Sequence, residues 1–293
     1  MLLKDLIKTG VSELSQSYPE NEAGEMVHVY LEHLLGVKRH THIVEPDYPV
    51  SEAAAASALS SFYRMKSGVP LQYVTGKAYF YGREFRVTPD VLIPRPETEI
   101  LCREVIRHAL SYEGPVRILD LCTGSGCIAW TLALEIPGSD VLGVDISRGA
   151  LGVASSQDFD AELQSSGASV PSFMLTDVLS SGDVLQSKGS FDVIVSNPPY
   201  VRDSEKEHMR SNVLDHEPHL ALFVPDDDPL LFYRAVASWA LRLLSPGGFG
   251  IVEINEALGR ETAEVFSSAG FVSVNILQDL SCKDRFVSFR RNL

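Results

Sequence analysis

Apolar residues recur every three to four positions through the first part of the chain. Leu2, Leu3, Leu6 and Ile7 follow this spacing, as do Val27, Tyr30, Leu31, Leu34 and Leu35. That period puts them on one face of a helix. Ala53-Ala54-Ala55-Ala56, followed by Leu59, Phe62 and Tyr63, predicts another helix, because alanine loses the least on helix formation. Gly36, Pro46 and Pro49 interrupt the runs. A small helical domain over residues 1–70 is the expectation. The pattern then changes. Tyr79-Phe80-Tyr81 and Phe85-Arg86-Val87 are aromatic or β-branched runs around Gly82, which predicts a hairpin within a connecting segment, 71–95.

Pro94-Arg95-Pro96-Glu97 opens a helix with an apolar face of Ile100, Leu101, Val105, Ile106 and Ala109. Proline in the first turn and the carboxylates of Glu97 and Glu99 near the positive helix end suit that start. Strand patterns follow at Val116–Leu121, Val141–Val144, Phe173–Leu175, Phe191–Ser196, Gly250–Ile254, Val272–Leu277 and Phe286–Phe289. Helical patterns lie between them, notably Ile128–Glu135, Leu230–Leu244 and Glu261–Ala269. Alternation of this kind predicts an α/β domain over 96–293, a doubly wound, mostly parallel Rossmann-like sheet with its ligands at the carboxyl ends of the strands. The serine-rich stretches Ser155–Ser172 and Ser180–Ser190 read as exposed connections.

A chain of 293 residues accommodates these two domains, and 45% hydrophobic residues can supply their cores. No apolar run approaches the roughly 20 residues of a membrane span, and Met1-Leu2-Leu3-Lys4-Asp5 does not start a secretory signal. A cytoplasmic, monomeric protein without membrane contact is expected. A net charge of −14 opposes broad contact with nucleic acid phosphates. Cys102, Cys122, Cys127 and Cys282 form no close pair, and neither His40/His42 nor His216/His219 has the i, i+4 spacing that aims two imidazoles at one ion. No metal is expected.

Chemistry enters with Ile118-Leu119-Asp120-Leu121-Cys122-Thr123-Gly124-Ser125-Gly126-Cys127-Ile128-Ala129. A buried strand here runs into a glycine turn and then a helix. Gly124 and Gly126 permit a tight turn with amide groups facing a ligand. Nineteen residues after Gly126, Asp145 ends the next strand, where a carboxylate can accept the ribose hydroxyls of an adenosine. The loop also satisfies G-x-G-x-x-[GA], so a nicotinamide or flavin nucleotide fits this motif equally well.

Asn197-Pro198-Pro199-Tyr200, at the end of the strand Phe191–Ser196, separates these readings. Prolines have no N–H to occupy neighbouring acceptors. The Asn197 side-chain oxygen and the Pro198 carbonyl are then free together, and two acceptors match a planar –NH2 with two donors. Tyr200 offers a flat face for stacking. Acceptors aimed at the N–H bonds stabilise the positive charge that grows on such a nitrogen as it attacks a sulfonium methyl. A side-chain amide and the exocyclic amine of adenine or cytosine both meet this description. A DNA or RNA amino methyltransferase is therefore the main alternative. A non-catalytic cofactor-binding protein and a nicotinamide oxidoreductase are further ones.

With these residues in view, the chain resembles the release-factor glutamine N5-methyltransferases of the PrmC/HemK type. The resemblance rests on Pro70-Leu71-Gln72-Tyr73-Val74-Thr75-Gly76, Phe80-Tyr81-Gly82, Val91-Leu92-Ile93-Pro94-Arg95-Pro96-Glu97-Thr98-Glu99, Gly143-Val144-Asp145-Ile146-Ser147, Asn197–Tyr200, Glu217-Pro218 and Asp284-Arg285. It implies a class I methyltransferase fold, S-adenosyl-L-methionine as methyl donor (S-adenosyl-L-homocysteine as product) and class I peptide-chain release factors as protein substrates. The methyl acceptor would be the glutamine of their Gly-Gly-Gln motif, and the helical domain is expected to grip the protein substrate outside the reacting loop. It implies cofactor contacts from Cys122, Thr123, Gly124, Ser125, Gly126, Asp145, Asp177, Val178 and Asn197. Asn197, Pro198, Pro199 and Tyr200 would receive the glutamine, with Arg95 and Glu97 nearby. The chain departs from the family pattern at four places. Cys122 replaces a glycine, and its backbone suits the loop provided its φ is negative. Val178 replaces a larger aromatic, Asn255 a glycine, and Ser281-Cys282-Lys283 a typical Ala-Gly-Arg. Glu217 is expected either to shape the pocket or to cap a turn.

Overall fold

The computed structural model describes residues 1–180 and 183–293. It divides into two compact units: Met1–Lys77 with Met209–His216, and Ala78–His208 with Glu217–Leu293. Among the described residues no helix is long and apolar enough to cross a membrane.

The first unit contains α1 (Leu3–Leu14), α2 (Glu20–Leu35), α3 (Thr41–Val44), α4 (Glu52–Lys66) and α5 (Leu71–Thr75). Leu3, Leu6, Gly10 and Leu14 of α1 are buried with Ala23, Val27, Tyr30 and Leu31 of α2 and Ala55, Ala58, Phe62 and Met65 of α4. Gly10 allows the three helices to approach closely, since a Cβ there would lie 2.7 Å from the Phe62 ring and 2.9 Å from Val27. Gly36, at φ 66°, closes α2 with its N–H on the Glu32 carbonyl, as a left-handed C-cap does. The Ser51 hydroxyl caps α4 by accepting from the Ala54 N–H. The buried face of α4 falls on Ala55, Ala58, Phe62 and Met65, which leaves Leu59 and Tyr63 exposed. This unit is longer than 1–70. Segment 71–75 is helical, and Leu71 and Val74 pack on the helical core. Residues 209–216 also fold here, with Arg210 3.7 Å from Glu22.

The hairpin forms as expected. β1 (Lys77–Phe80) and β2 (Arg83–Arg86) are joined by Tyr81 and Gly82, both at positive φ (51° and 74°). Such a two-residue turn matches the twist of the flanking strands.

The second unit is built on a seven-stranded sheet. Its strands are β3 (Arg117–Leu121), β4 (Asp140–Asp145), β5 (Ser172–Leu175), β6 (Phe191–Ser196), β9 (Leu244–Glu253), β10 (Val272–Gln278) and β11 (Asp284–Arg290), in the order β10-β11-β9-β6-β3-β4-β5. The short pair β7 (Val201–Arg202) and β8 (Phe223–Val224) lies outside it. From β9 to β5 every pairing is parallel, while β11 runs antiparallel to both β9 and β10. Strand order reverses around β3, with β4 on one side and β6 on the other.

Both faces of the sheet are covered, so the strands read as continuous apolar runs. Ile118, Val193, Val195, Phe249 and Ile251 pack on one side with Leu101, Val105 and Trp130. Leu119, Leu121, Ile194 and Val252 pack on the other with Tyr233, Trp239 and Phe266. This is the period-two alternation of a strand. The helix expected from Pro94 begins at Thr98 as α6 (Thr98–Ala109). Then come α7 (Cys127–Glu135), α8 (Arg148–Ser155) and α9 (Asp160–Ser166). The last lies inside the serine-rich stretch read as a connection. In Ser180–Ser190, residues 181–182 lie outside the described chain and a 3-10 turn occupies 183–188. β9 starts six residues earlier than expected, because Leu244 already pairs with Phe191.

Gly250 stands directly opposite Phe289 across β9 and β11, and a Cβ on it would sit 2.1 Å from the Phe289 ring. Gly250→Ala should therefore cost about 1–3 kcal/mol by overpacking, measured as a lower urea midpoint. An unchanged midpoint would mean that the ring can move aside freely.

Candidate active site

A cavity lies over the carboxyl ends of the parallel strands. Its wall takes Cys122, Thr123, Gly124 and Ser125 after β3, Asp145 at the end of β4, Thr176, Asp177 and Val178 after β5, and Asn197 and Pro199 after β6. Pro94, Arg95 and Thr98 at the head of α6, together with Pro218 and Phe232, complete it. The sheet thus gathers residues far apart in sequence into one place, on either side of its strand-order reversal.

The glycine loop is held from below. Thr123 donates its N–H to the Val144 carbonyl and its hydroxyl to Asp120, 2.6 Å away. The Gly124 N–H donates to one Asp145 oxygen and the Ser147 N–H to the other, both at 2.9 Å. The Gly126 N–H turns back to the Thr123 carbonyl. The N–H groups of Thr123, Gly124 and Gly126 are therefore committed within the protein, whereas Ser125 and Cys127, at the helix start, line the cavity. Gly124 contributes in a different way. It sits at φ 54° on the cavity wall, and a Cβ there would meet nothing within 4 Å. Gly126, at φ 78°, does not reach the cavity; its Cβ would press on Ala154 at 3.0 Å. Cys122 has φ 63°, the left-handed region rather than the negative φ on which its fit was premised. A side chain there costs on the order of 1–3 kcal/mol. Its packing against the core beneath the loop offsets part of that.

Burial raises the pKa of Asp145, and the N–H groups of Ser147, Gly124 and Ile146 oppose the rise. Burial pushes Asp120 up to about 7 against the pull of the Thr123 hydroxyl.

On the opposite wall, Asn197 is half-buried, and its Nδ2 lies 3.3 Å from the Thr98 hydroxyl. Thr98 donates to Glu253 at 2.6 Å, and the Tyr200 hydroxyl donates to the other Glu253 oxygen at 2.9 Å. Glu253 is 1% exposed, and burial raises its pKa. Register explains its place: Val252 pairs with Ser196, so the next residues, Glu253 and Asn197, leave their strands side by side. Tyr200 and Pro198 lie behind the wall rather than on it. Asn255 donates to the Tyr200 carbonyl and to Glu205, so this departure from the family pattern supports the same loop.

Glu217 has a defined place. It accepts from the Ile93 N–H at 3.1 Å and from Arg95 at 2.6 Å, and so ties the wall segment before α6 to Pro218. Arg95 lines the cavity through this ion pair. Glu97 is exposed and absent from the wall. Asp177 and Val178 both reach it, and the Val178 carbonyl is fixed by the Trp239 indole N–H at 2.9 Å. Sequence reasoning missed Thr98 and Glu253 as site residues. Thr98 lay inside a recognised block, but Glu253 ends an apolar strand with nothing to mark it.

Comparison with known proteins follows the same division. The PrmC N-terminal domain family matches residues 5–76, and the Methyltransferase small domain family matches residues 100–218. A release factor glutamine methyltransferase of Bacteroides thetaiotaomicron is 39% identical over 95% of this chain and 96% of its own. Its Flavobacterium psychrophilum counterpart is 36% identical over 98% of both chains. That of Bacillus subtilis is 35% identical over 97% of this chain and 96% of its own.

Asp120 gives this site a pH signature. Its folded pKa is about 7, against roughly 3.9 in an unfolded chain. Between those values the folded state binds the extra proton, so stability falls as pH rises. Relative to Asp120→Asn, the native chain should lose up to roughly 4 kcal/mol between pH 4 and pH 8, read from urea unfolding of both proteins. A difference that stays constant with pH would mean that Asp120 is charged throughout.

Proposed function

Because the chain belongs to the release factor glutamine methyltransferase family, we propose that it transfers a methyl group from S-adenosylmethionine to the side-chain amide nitrogen (N5) of the Gly-Gly-Gln glutamine in class I peptide-chain release factors. The observation that carries this reading is the meeting of three strand ends in one cavity: the loop Cys122–Ser125 after β3 with Asp145 at the end of β4, and Asn197 with Pro199 after β6. The first half suits the donor and the second suits a planar amide.

The fit to the donor rests on the residues present. Gly124 leaves open space on the wall where a Cβ would stand. Asp145 gives one lone pair on each oxygen to a backbone N–H, and a carboxylate keeps further acceptor capacity for hydroxyl groups. Asp177 and Val178 extend the same wall. In this reading Cys122, Thr123, Gly124, Ser125, Asp145, Asp177 and Val178 hold the cofactor, and Gly126 contributes by shaping the turn. When bound, the cofactor supplies an electrophilic sulfonium methyl.

The acceptor side depends on the chain's own groups. An amide nitrogen is a weak nucleophile, because its lone pair is delocalised into the carbonyl. Asn197 Oδ1 accepts one of its N–H bonds and favours the charge that develops on nitrogen; the Pro198 carbonyl, expected from sequence to accept the other, lies behind the wall. Holding that nitrogen in line for attack lowers the barrier further, by up to about 7–11 kcal/mol for well-oriented reactants. Asn197 acts as acceptor and positioner; a neutral amide is no general base. Tyr200 acts from behind the wall through Glu253, in place of the stacking face first expected of it. Arg95 shapes the acceptor side through Glu217, and Glu97 is left to the outer surface, where a protein substrate can meet it.

Labelled methyl transfer to a purified class I release factor tests the reading. A factor with the Gly-Gly-Gln glutamine changed to alanine and a duplex DNA serve as companions. Label on the intact factor alone is expected; label on DNA alone would move the same pocket to a base amine. Asn197→Ala should abolish transfer and leave cofactor binding within about tenfold, roughly 1.4 kcal/mol. Equal loss of both in a folded variant would contradict the acceptor role. Asp145→Ala should weaken cofactor binding first, by titration calorimetry, and an unchanged Kd would remove Asp145 from the cofactor site.

A further inference from the structure

An asparagine amide is nearly symmetrical in shape and opposite in chemistry at its two ends. One end accepts and the other donates two protons. The reaction proposed above needs the accepting end toward the substrate. Nothing in the covalent structure of Asn197 enforces that, and a flipped amide would present N–H to N–H.

The neighbours enforce it. As a carboxylate Glu253 can only accept, and two hydroxyls address its two oxygens separately: Thr98 at 2.6 Å and Tyr200 at 2.9 Å. Thr98 has one hydroxyl proton, and it is committed to Glu253. Its oxygen then offers Asn197 only lone pairs. The amide end facing Thr98, 3.3 Å away, must be the donor Nδ2, which leaves Oδ1 as the group available to the cavity. Glu253 is closed off from solvent, and Thr98 is hydrogen-bonded to both it and Asn197.

We infer that Thr98 and Glu253 are positioning residues for methyl transfer, a one-way hydrogen-bond chain that sets the polarity of the Asn197 amide. The chain carries no proton and forms no bond to substrate. It determines which end of Asn197 the acceptor nitrogen meets. This inference rests on the acceptor role assigned to Asn197 above, but not on which molecule carries the nitrogen.

Thr98→Val keeps the shape and removes the hydroxyl. It should lower kcat at least tenfold and leave cofactor Kd and acceptor KM within threefold, the split expected when only a transition-state interaction is lost. Thr98→Ser restores the hydroxyl and should recover kcat to within threefold of the native enzyme. Should Thr98→Val fail to fold by thermal melt, Thr98→Ala carries the same expectation. A kcat within threefold of native for the hydroxyl-free variant would overturn the inference. So would a serine variant as slow as the valine one, or a parallel loss of cofactor binding, since each points to packing instead. The ratios are read on whichever acceptor the native enzyme labels. If that is DNA, the substrate reading fails while the valine-to-serine comparison still tests the chain.

Discussion

Burying a parallel sheet on both faces leaves polar groups few places to gather. Along β3, β6 and β9 the side chains alternate between two apolar layers, and the backbone groups are spent on the ladders. Only at the carboxyl ends, where the strands diverge, do side chains and loops emerge unpaired. The site is located by this constraint before any particular residue is considered. Asp145, Asn197 and Glu253 are each the last residue of a strand or the first beyond one.

The two halves of the cavity are organised in the same manner, by a carboxylate, half-buried Asp145 or buried Glu253, that takes two donors. Asp145 accepts one backbone N–H from the glycine loop and one from the start of α8. Glu253 accepts one hydroxyl from α6 and one from the loop after β6. In both cases the cost of burying the charge is offset by hydrogen bonds that also hold a loop in place. Asp120 extends the first arrangement downward by holding Thr123. Polar groups in so dry a setting are expensive to leave unmatched, which makes them effective at fixing geometry.

Cys122 shows how far local rules bend under this scaffold. A non-glycine residue at φ 63° is unfavourable by itself. The loop needs that backbone turn to bring Thr123 and Gly124 onto their partners, and the cysteine side chain packs into the core below. Asn255 is a similar case. It stands where the resemblance led to an expectation of glycine, and its amide donates to the Tyr200 carbonyl and to Glu205.

Much of this protein was determined by sequence alone. Hydrophobic period separated a helical part from an α/β part, and the strand patterns matched the seven strands of the sheet to within a few residues, apart from the early start of β9. The motifs around Gly124, Asp145 and Asn197 identified three of the strand ends that meet. These features are local: periodicity and turn chemistry act over a few neighbouring residues. What only the tertiary structure decided is who faces whom. Residues 209–216 join the helical unit, Glu217 reaches back to Ile93 and Arg95, and Glu253 meets Thr98 across 155 positions of sequence. The amides of Gly124 and Gly126 turn out to be bonded within the fold. A hydrogen bond depends on distance in space, and sequence pattern encodes the element that carries a group far better than the group it will meet.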